Sequence, residues 1–395
     1  MSTRRHVLLL LATLSCLSVV SQPVDVKKQM QLSLAQYEGM VSEFANDTLF
    51  PQSVYPDGSL RKMKSDWWCS GFFSGSLWYL WEYTKDASIR DPALFWTAAM
   101  RKEQYNTGTH DLGFMLYCSF GNGYRLIKEP WYKSVLLEGA ASLATRFNAK
   151  AGVIKSWNDF KGYKYPVIID NMMNLEFLFW AAKESGNKQF YNICISHADS
   201  TIKNHFRKDY SSYHVVCYDS SNGKVLAKKT AQGYSDESAW ARGQAWGLYG
   251  FTVMYRETRK KKYLDQAKAI AKFFMNHPNL PKDKIPYWDF NAPDIPNDVR
   301  DASSAAIAAS ALIELSRYTD KDLGTSYFRF AEDVLRSLSS PDYFAATGNH
   351  HFLIKHCTGH KPAKSEVDVP LIYADYYYLE ALTRYDQLQK SLNKN

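Results

Sequence analysis

A chain of 395 residues with 46% hydrophobic and 15% aromatic side chains has ample material for a large core, and no low-complexity segment or linker divides it. Its formal charge of +8 comes without any basic run interleaved with aromatics, which argues against nucleic acid as a partner and leaves an anionic small substrate compatible. Eleven Trp, 27 Tyr and 21 Phe suit sugar rings, which stack on aromatic faces, and serve equally as core filling.

The chain opens on an address. Arg4 and Arg5 precede an apolar run from Val7 to Val20, and Val19-Val20-Ser21 offers the short residues of a cleavage site. Residues 1–21 therefore read as a signal peptide, giving a mature chain from Gln22 that is exported and expected in the periplasm. Losing Arg4 and Arg5 and no acid takes the charge from +8 to +6. Cys16, in Leu14-Ser15-Cys16, matches a lipoprotein signal poorly. No later stretch reaches about 18 apolar residues, so no membrane span is expected. Cys69, Cys118, Cys194, Cys217 and Cys357 are odd in number and scattered, which argues against a disulfide framework and against zinc sites built on Cys-x-x-Cys.

Beyond the leader one module repeats. Segments that begin polar and run into apolar helix start at Asp66, His110, Ile168, Ser235, Arg300 and Asp368, 44 to 68 positions apart, about one helical hairpin each. More ordinary amphipathic helices lie between them, over Lys27–Phe44, Trp131–Phe147, Tyr263–Met275 and Ser326–Leu338. Six apolar helices alternating with amphipathic ones predict an all-α (α/α)6 barrel, six inner and six outer helices over residues 22–395 in a single domain; a helical solenoid is the alternative. Strand character is confined to Tyr213–Tyr218, one arm of a short β-hairpin turning at Ser221-Asn222-Gly223.

The stretch SDESAWARGQAWGLYGFTVMYRET, from Ser235 to Thr258, is apolar on every side, so its helix should be enclosed by others. Ser235 is the expected N-cap, with Asp236 and Glu237 in the first turn. Arg242 goes into that interior, where a guanidinium needs either a structural partner or a ligand. Asp66, Asp111, Asp170, Asp236, Asp301 and Asp368 stand at the inner-helix starts, where an Asp is usually a cap. Asp111 in HDLGF and Asp170 in IIDNMMN differ in being flanked by bulky apolar residues. Two carboxylates facing one pocket can have their pKa values pushed apart, leaving one protonated near neutral pH. His356 and His360 have i, i+4 spacing, yet no Glu follows the first and Gly359 and Pro362 interrupt, so no metal site is read there.

Taken in order, DWWCSGFFSGSLW, HDLGFM, IIDNMMNLEFLFWA, YHVVCYD, QGYSDESAWARGQAW, DASSAAIAASAL and EVDVPLIYADYYYLEAL resemble the unsaturated glucuronyl hydrolases, glycoside hydrolase family 88. The resemblance implies an (α/α)6 barrel without metal or organic cofactor. It implies substrates that are oligosaccharides of glycosaminoglycan type carrying a 4,5-unsaturated uronic acid at the non-reducing end. It gives Asp170 as general acid/base and Asp111 as the supporting carboxylate. His214, Gln232, Arg242 and Trp246 fall on sugar-site positions, and Trp67 or Trp68 should supply an aromatic wall. Arg242 with Gln232 is the expected clamp on the uronate carboxylate. The chain departs from the family pattern at Ala231, where a histidine is frequent. Lys361, Lys364 and Ser365 lie in a loop expected at the pocket rim, a possible specificity element for sulfate. The alternatives are an unsaturated rhamnogalacturonyl hydrolase of family 105, acting on pectin fragments; a conventional inverting glycosidase with two carboxylates; and a non-catalytic glycan-binding protein. The sequence leaves the oligomeric state open.

Overall fold

The computed structural model describes residues 23–392; the leader and its Cys16 lie outside the described residues. Among the described residues, twelve α-helices alternate between two layers. The outer layer holds α1 (Val26–Glu43), α3 (Ala87–Ala99), α5 (Pro130–Ala144), α7 (Lys188–His205), α9 (Lys261–Asn276) and α11 (Lys321–Leu338). The inner layer holds α2 (Gly71–Thr84), a π-helical segment Gly113–Gly121 that continues into α4 (Asn122–Ile127), α6 (Leu175–Ser185), α8 (Ala241–Thr258), α10 (Ala302–Leu315) and α12 (Ile372–Leu392). Each inner helix packs on the next in chain order and α12 packs back on α2, so the ring closes and the solenoid alternative falls.

Residue pattern sorts the layers. In α10 all of Ala302 to Leu315 is buried, because small Ala and Ser side chains let helices approach from every side. In α11 the buried set is Gly324, Tyr327, Phe330, Ala331, Val334, Leu335 and Leu338, one stripe at helical spacing with charges elsewhere. The layers are joined by specific bonds as well as by apolar contact: Trp78 Nε1 on α2 donates to Thr97 Oγ1 on α3 at 2.8 Å. Cys69, Cys118, Cys194, Cys217 and Cys357 are buried free thiols.

Two expectations are corrected. Strands are more numerous than read: β1 (Phe50–Val54) pairs with β2 (Leu60–Met63), β3 (Phe147–Asn148) with β4 (Val153–Ile154), and β5 (Pro166–Ile168) joins the expected hairpin of β6 (Val215–Tyr218) and β7 (Val225–Lys229); β8 (Cys357–His360) pairs with β9 (Ser365–Val369). These short strands lack the length for a legible alternation. The acids at the inner-helix starts are mostly not caps. Side-chain caps sit on outer helices, from Asp25, Asp86, Asn187 and Asp320, while among the inner starts only Asp301 caps its helix, accepting from Ser303 N. Asp236 instead pairs with Lys229 at 2.8 Å, and α8 begins five residues later than Asp236, at Ala241, because Ser235 to Ser238 forms its own turn. Asp368 lies in β9 and bonds His356 at 2.7 Å.

Candidate active site

Sheet pairing sets the first part of the site. Ile168 at the end of β5 is opposite Val215 at the start of β6, and Ile169 N donates to His214 O at 3.0 Å. This register places Asp170, in the 3-10 turn Ile169–Asn174, beside His214. His214 Nε2 and Asp170 Oδ2 are 3.7 Å apart, too far for a hydrogen bond. Asp170 Oδ2 and His214 Nε2 are buried without a hydrogen-bond partner, and the Trp246 indole N–H faces the Asp170 carboxyl. Buried polar atoms are ordinarily satisfied, so two unpartnered ones facing each other across 3.7 Å set this spot apart as a candidate polar site.

Asp111 enters from the next inner start, just before the π-helical segment. It accepts from Thr109 Oγ1 at 2.9 Å, and His110 Nε2 lies 3.2 Å from its Oδ1. The two segments are tied by Asn174, whose Oδ1 accepts from Gly113 N at 2.9 Å and whose Nδ2 donates to Asn171 Oδ1 at 3.0 Å. A Cβ at Gly113 would stand 2.5 Å from Asn174 Oδ1, so only glycine permits this approach. Burial drives the Asp170 carboxyl up to about 7; the Arg242 charge opposes the rise, Asp111 adds to it by like charge, and the Trp246 indole opposes it more weakly. The pair thus holds one carboxyl poised near neutrality beside a second acid, the arrangement that acid/base chemistry uses.

Arg242 lies in this wall, but its partners are the chain's own. Its Nη1 donates to Asp301 Oδ2 at 2.8 Å and to Thr358 O at 2.6 Å, and its Nη2 to Gly359 O at 2.6 Å, while Trp240 and Tyr373 flank the guanidinium. Gln232 Nε2 also donates to Gly359 O, at 3.0 Å. The structural ion pair, one of the two readings of Arg242, is therefore present, and the expected clamp has its fork directed at Asp301 and the β8 strand. Arg242 and Asp301 are 1% and 0% exposed at their side chains, so Asp301→Ala would leave a buried cation unpaired and should cost about 3–5 kcal/mol of stability, read from a denaturant midpoint.

Trp68 packs against Tyr373 at 4.8 Å and Phe114 at 5.5 Å, forming an aromatic wall that Phe114 continues to Trp246 at 5.1 Å; Trp67 is part-exposed at 37%. The rim loop is corrected in one respect. Lys361 Nζ is bonded to the buried Asp298 and lies over Trp288, so it is no free cation; Lys364 is exposed, and Ser365 Oγ accepts from Arg61. Sequence reasoning also missed Asn174, Asp298 and the pairing role of Asp301. Asn174 had a signal, since it shares a motif with Asp170; the partner of Lys361 lies 63 positions away and had none.

A cavity of about 440 Å³ is lined by residues toward the C-terminal ends of the inner helices and also by Gly113, Phe114 and Met173. Its carboxylates are paired, Glu82 with Arg125, Glu176 with Arg256, Glu184 with Lys133 and Glu380 with Arg384. Each of those acids thus faces a cation of its own, as Asp111 and Asp170 do not.

Comparison with known proteins agrees with this fold. The family model described as Glycosyl Hydrolase Family 88 matches residues 42–280. The chain is 44% identical over 382 residues to an unsaturated glucuronyl hydrolase of Formosa agariphila, covering 93% of this chain and 94% of that protein. It is 33% identical over 380 residues to an unsaturated chondroitin disaccharide hydrolase of Streptococcus pneumoniae, covering 93% and 91%. Among solved structures it superposes with a TM-score of 0.90 and 49% identity on an unsaturated glucuronyl hydrolase specific for heparin, covering 92% of this chain and 98% of that one. The enzyme of Bacillus sp. GL1 gives a TM-score of 0.84 at 30% identity, covering 91% and 97%.

Proposed function

The chain belongs to Glycosyl Hydrolase Family 88 and is a glycoside hydrolase, and from that premise we propose that it releases the 4,5-unsaturated uronic acid from lyase-generated glycosaminoglycan oligosaccharides by hydrating the C4=C5 bond. One observation carries the reading: a carboxyl raised to about 7 sits among buried polar atoms that have no partner. In this scheme protonated Asp170 gives its proton to C4, and the vinyl ether oxygen shares the positive charge that develops at C5. Water adds to C5 while the Asp170 carboxylate takes its proton, which restores the acid. The hemiketal opens to a C5 ketone, leaving at C1 a hemiacetal that expels the next sugar. Burial holds the Asp170 carboxyl up in the free enzyme, and the like charge of Asp111 adds to it.

The test is incubation with unsaturated disaccharides from heparin, chondroitin, hyaluronan and rhamnogalacturonan, following the ultraviolet absorbance of the double bond, with a saturated disaccharide alongside. Loss of absorbance with a glycosaminoglycan product, and no cleavage of the saturated analogue, is the expected result. The greater identity to the heparin-specific enzyme favours the heparin-derived disaccharide as the better substrate. Turnover of the rhamnogalacturonan product alone would move the chain to the pectin alternative, cleavage of the saturated sugar would indicate a conventional glycosidase, and binding without turnover would make it a glycan-binding protein.

The pairing of Lys361 limits its part in specificity. Lys361→Ala should leave the ratio of kcat/KM for sulfated over unsulfated disaccharide unchanged, whereas any sulfate contact through exposed Lys364 should change that ratio about fivefold in Lys364→Ala. The leader supports export to the periplasm; mass spectrometry of the secreted protein should find Gln22 at its N-terminus.

A further inference from the structure

We propose that His214 is a positioning residue, held as the Nε2–H tautomer so that it donates to Asp170 Oδ2 when that group is a carboxylate. The proposal rests on Asp170 as the acid/base. The tautomer follows from two backbone bonds. Ala231 N and Gln232 N both donate to His214 Nδ1, at 3.2 and 3.1 Å, so Nδ1 bears the lone pair and the ring proton is on Nε2. The sheet enforces this grip: Val215 pairs with Lys229 across β6 and β7, which brings the residues just after β7 alongside the residue just before β6. The ring itself is clamped by Trp240 at 4.4 Å and lies edge-on to Trp157 at 6.0 Å.

Its Nε2–H is thus a fixed donor at one end of a 3.7 Å gap, with an unpartnered carboxyl oxygen at the other. Donation to Oδ2 favours an arrangement in which the transferable proton of Asp170 sits on Oδ1. After that proton has gone to the substrate, closing the gap by under about 1 Å would give the new carboxylate a hydrogen bond. The grip on His214 at position 231 comes from the main chain, so the Ala231 side chain takes no part in it.

The charged and titratable groups around the pair are Arg242 from α8, Asp111 and His110 from the segment before the π-helix, His205 from α7 and His360 from β8. Burial first, then the His360 and Arg242 charges, keeps the His214 imidazole neutral, so it acts by its N–H and not by charge. A hydrogen bond donated to the carboxylate form lowers that group's pKa, and removing it raises the pKa. Loss of the bond to the newly formed carboxylate should lower kcat in His214→Leu about 10- to 100-fold, and because activity requires Asp170 protonated, the raised pKa should move the alkaline limb of the pH–rate profile up by roughly one unit. His214→Gln, which returns an amide N–H, should recover most of kcat and bring the limb back. In the intact wild-type protein, 15N-histidine NMR should show His214 protonated at Nε2 alone, a measurement that stands even if the leucine variant fails to fold. A proton on Nδ1, an unmoved limb in His214→Leu, or a rise in KM with kcat unchanged would overturn the proposal. If Asp170→Asn is inactive and the limb is nevertheless unmoved, only the role of His214 falls; if Asp170→Asn turns over normally, the acid/base assignment itself has failed.

Discussion

Asp170→Asn should lower turnover by about 10²–10⁴-fold or more while leaving substrate binding measurable by calorimetry. The amide keeps the shape of the carboxyl and can neither deliver a proton to C4 nor accept one from water, and the proposed cycle asks both of this one group. The position can supply them because burial holds its carboxyl at about 7, midway between an ordinary carboxylic acid and an acid too weak to donate. The fold should tolerate the change, since Asp170 Oδ2 has no hydrogen-bond partner to lose. Near-normal turnover would remove Asp170 from the chemistry.

The second large effect is expected at Asp111. Asp111→Asn removes a like charge that raises the Asp170 pKa, so that pKa should fall. Activity needs protonated Asp170 and is lost as pH rises through its pKa; the alkaline limb should therefore move to lower pH, by roughly one unit, with about a fivefold loss at neutral pH. This is the opposite direction to His214→Leu, so the two variants separate a charge effect from a hydrogen-bond effect on the same carboxyl. An activity loss with an unmoved limb would assign Asp111 to substrate positioning.

How far the sequence anticipated this site depends on the distance between partners. The six apolar segments stood out because a helix buried on all sides needs apolar residues all round, and α8 and α10 show that composition without a partner in view. Asp111 and Asp170 stood out against their apolar flanks. Arg242 was placed correctly in the interior, yet its partners Asp301, Thr358 and Gly359 lie 59 to 117 positions away, and nothing local distinguishes an arginine waiting for a substrate from one already paired. Lys361 failed in the same way: Gly and Pro beside it read as an open loop, while Asp298 came from another connection. The β6–β7 hairpin was anticipated, but β5 and the other short strands were missed because two- to five-residue pairings carry too little pattern, though β5 with β6 is what brings Asp170 to His214. Ser235 was misread because a cap motif and a self-contained serine turn use the same residues.

The ring described above also has a consequence for how the chain reaches its native state. A closed circle of inner helices has no smaller version: α2 and α10 each keep an apolar flank uncovered until α12 lies between them. The bonds that seat it span most of the sequence, Tyr37 Oη to Asp375 Oδ2 at 3.3 Å and Tyr378 Oη to Gln29 Oε1 at 3.1 Å, across 338 and 349 positions. Loop-closure entropy for those contacts must be met before the burial that rewards them, which slows folding and populates incomplete rings with exposed apolar faces. On a ribosome, a nascent chain interrupted before Ile372 would present two uncovered helix faces, the kind of surface that chaperones hold and aggregates grow from.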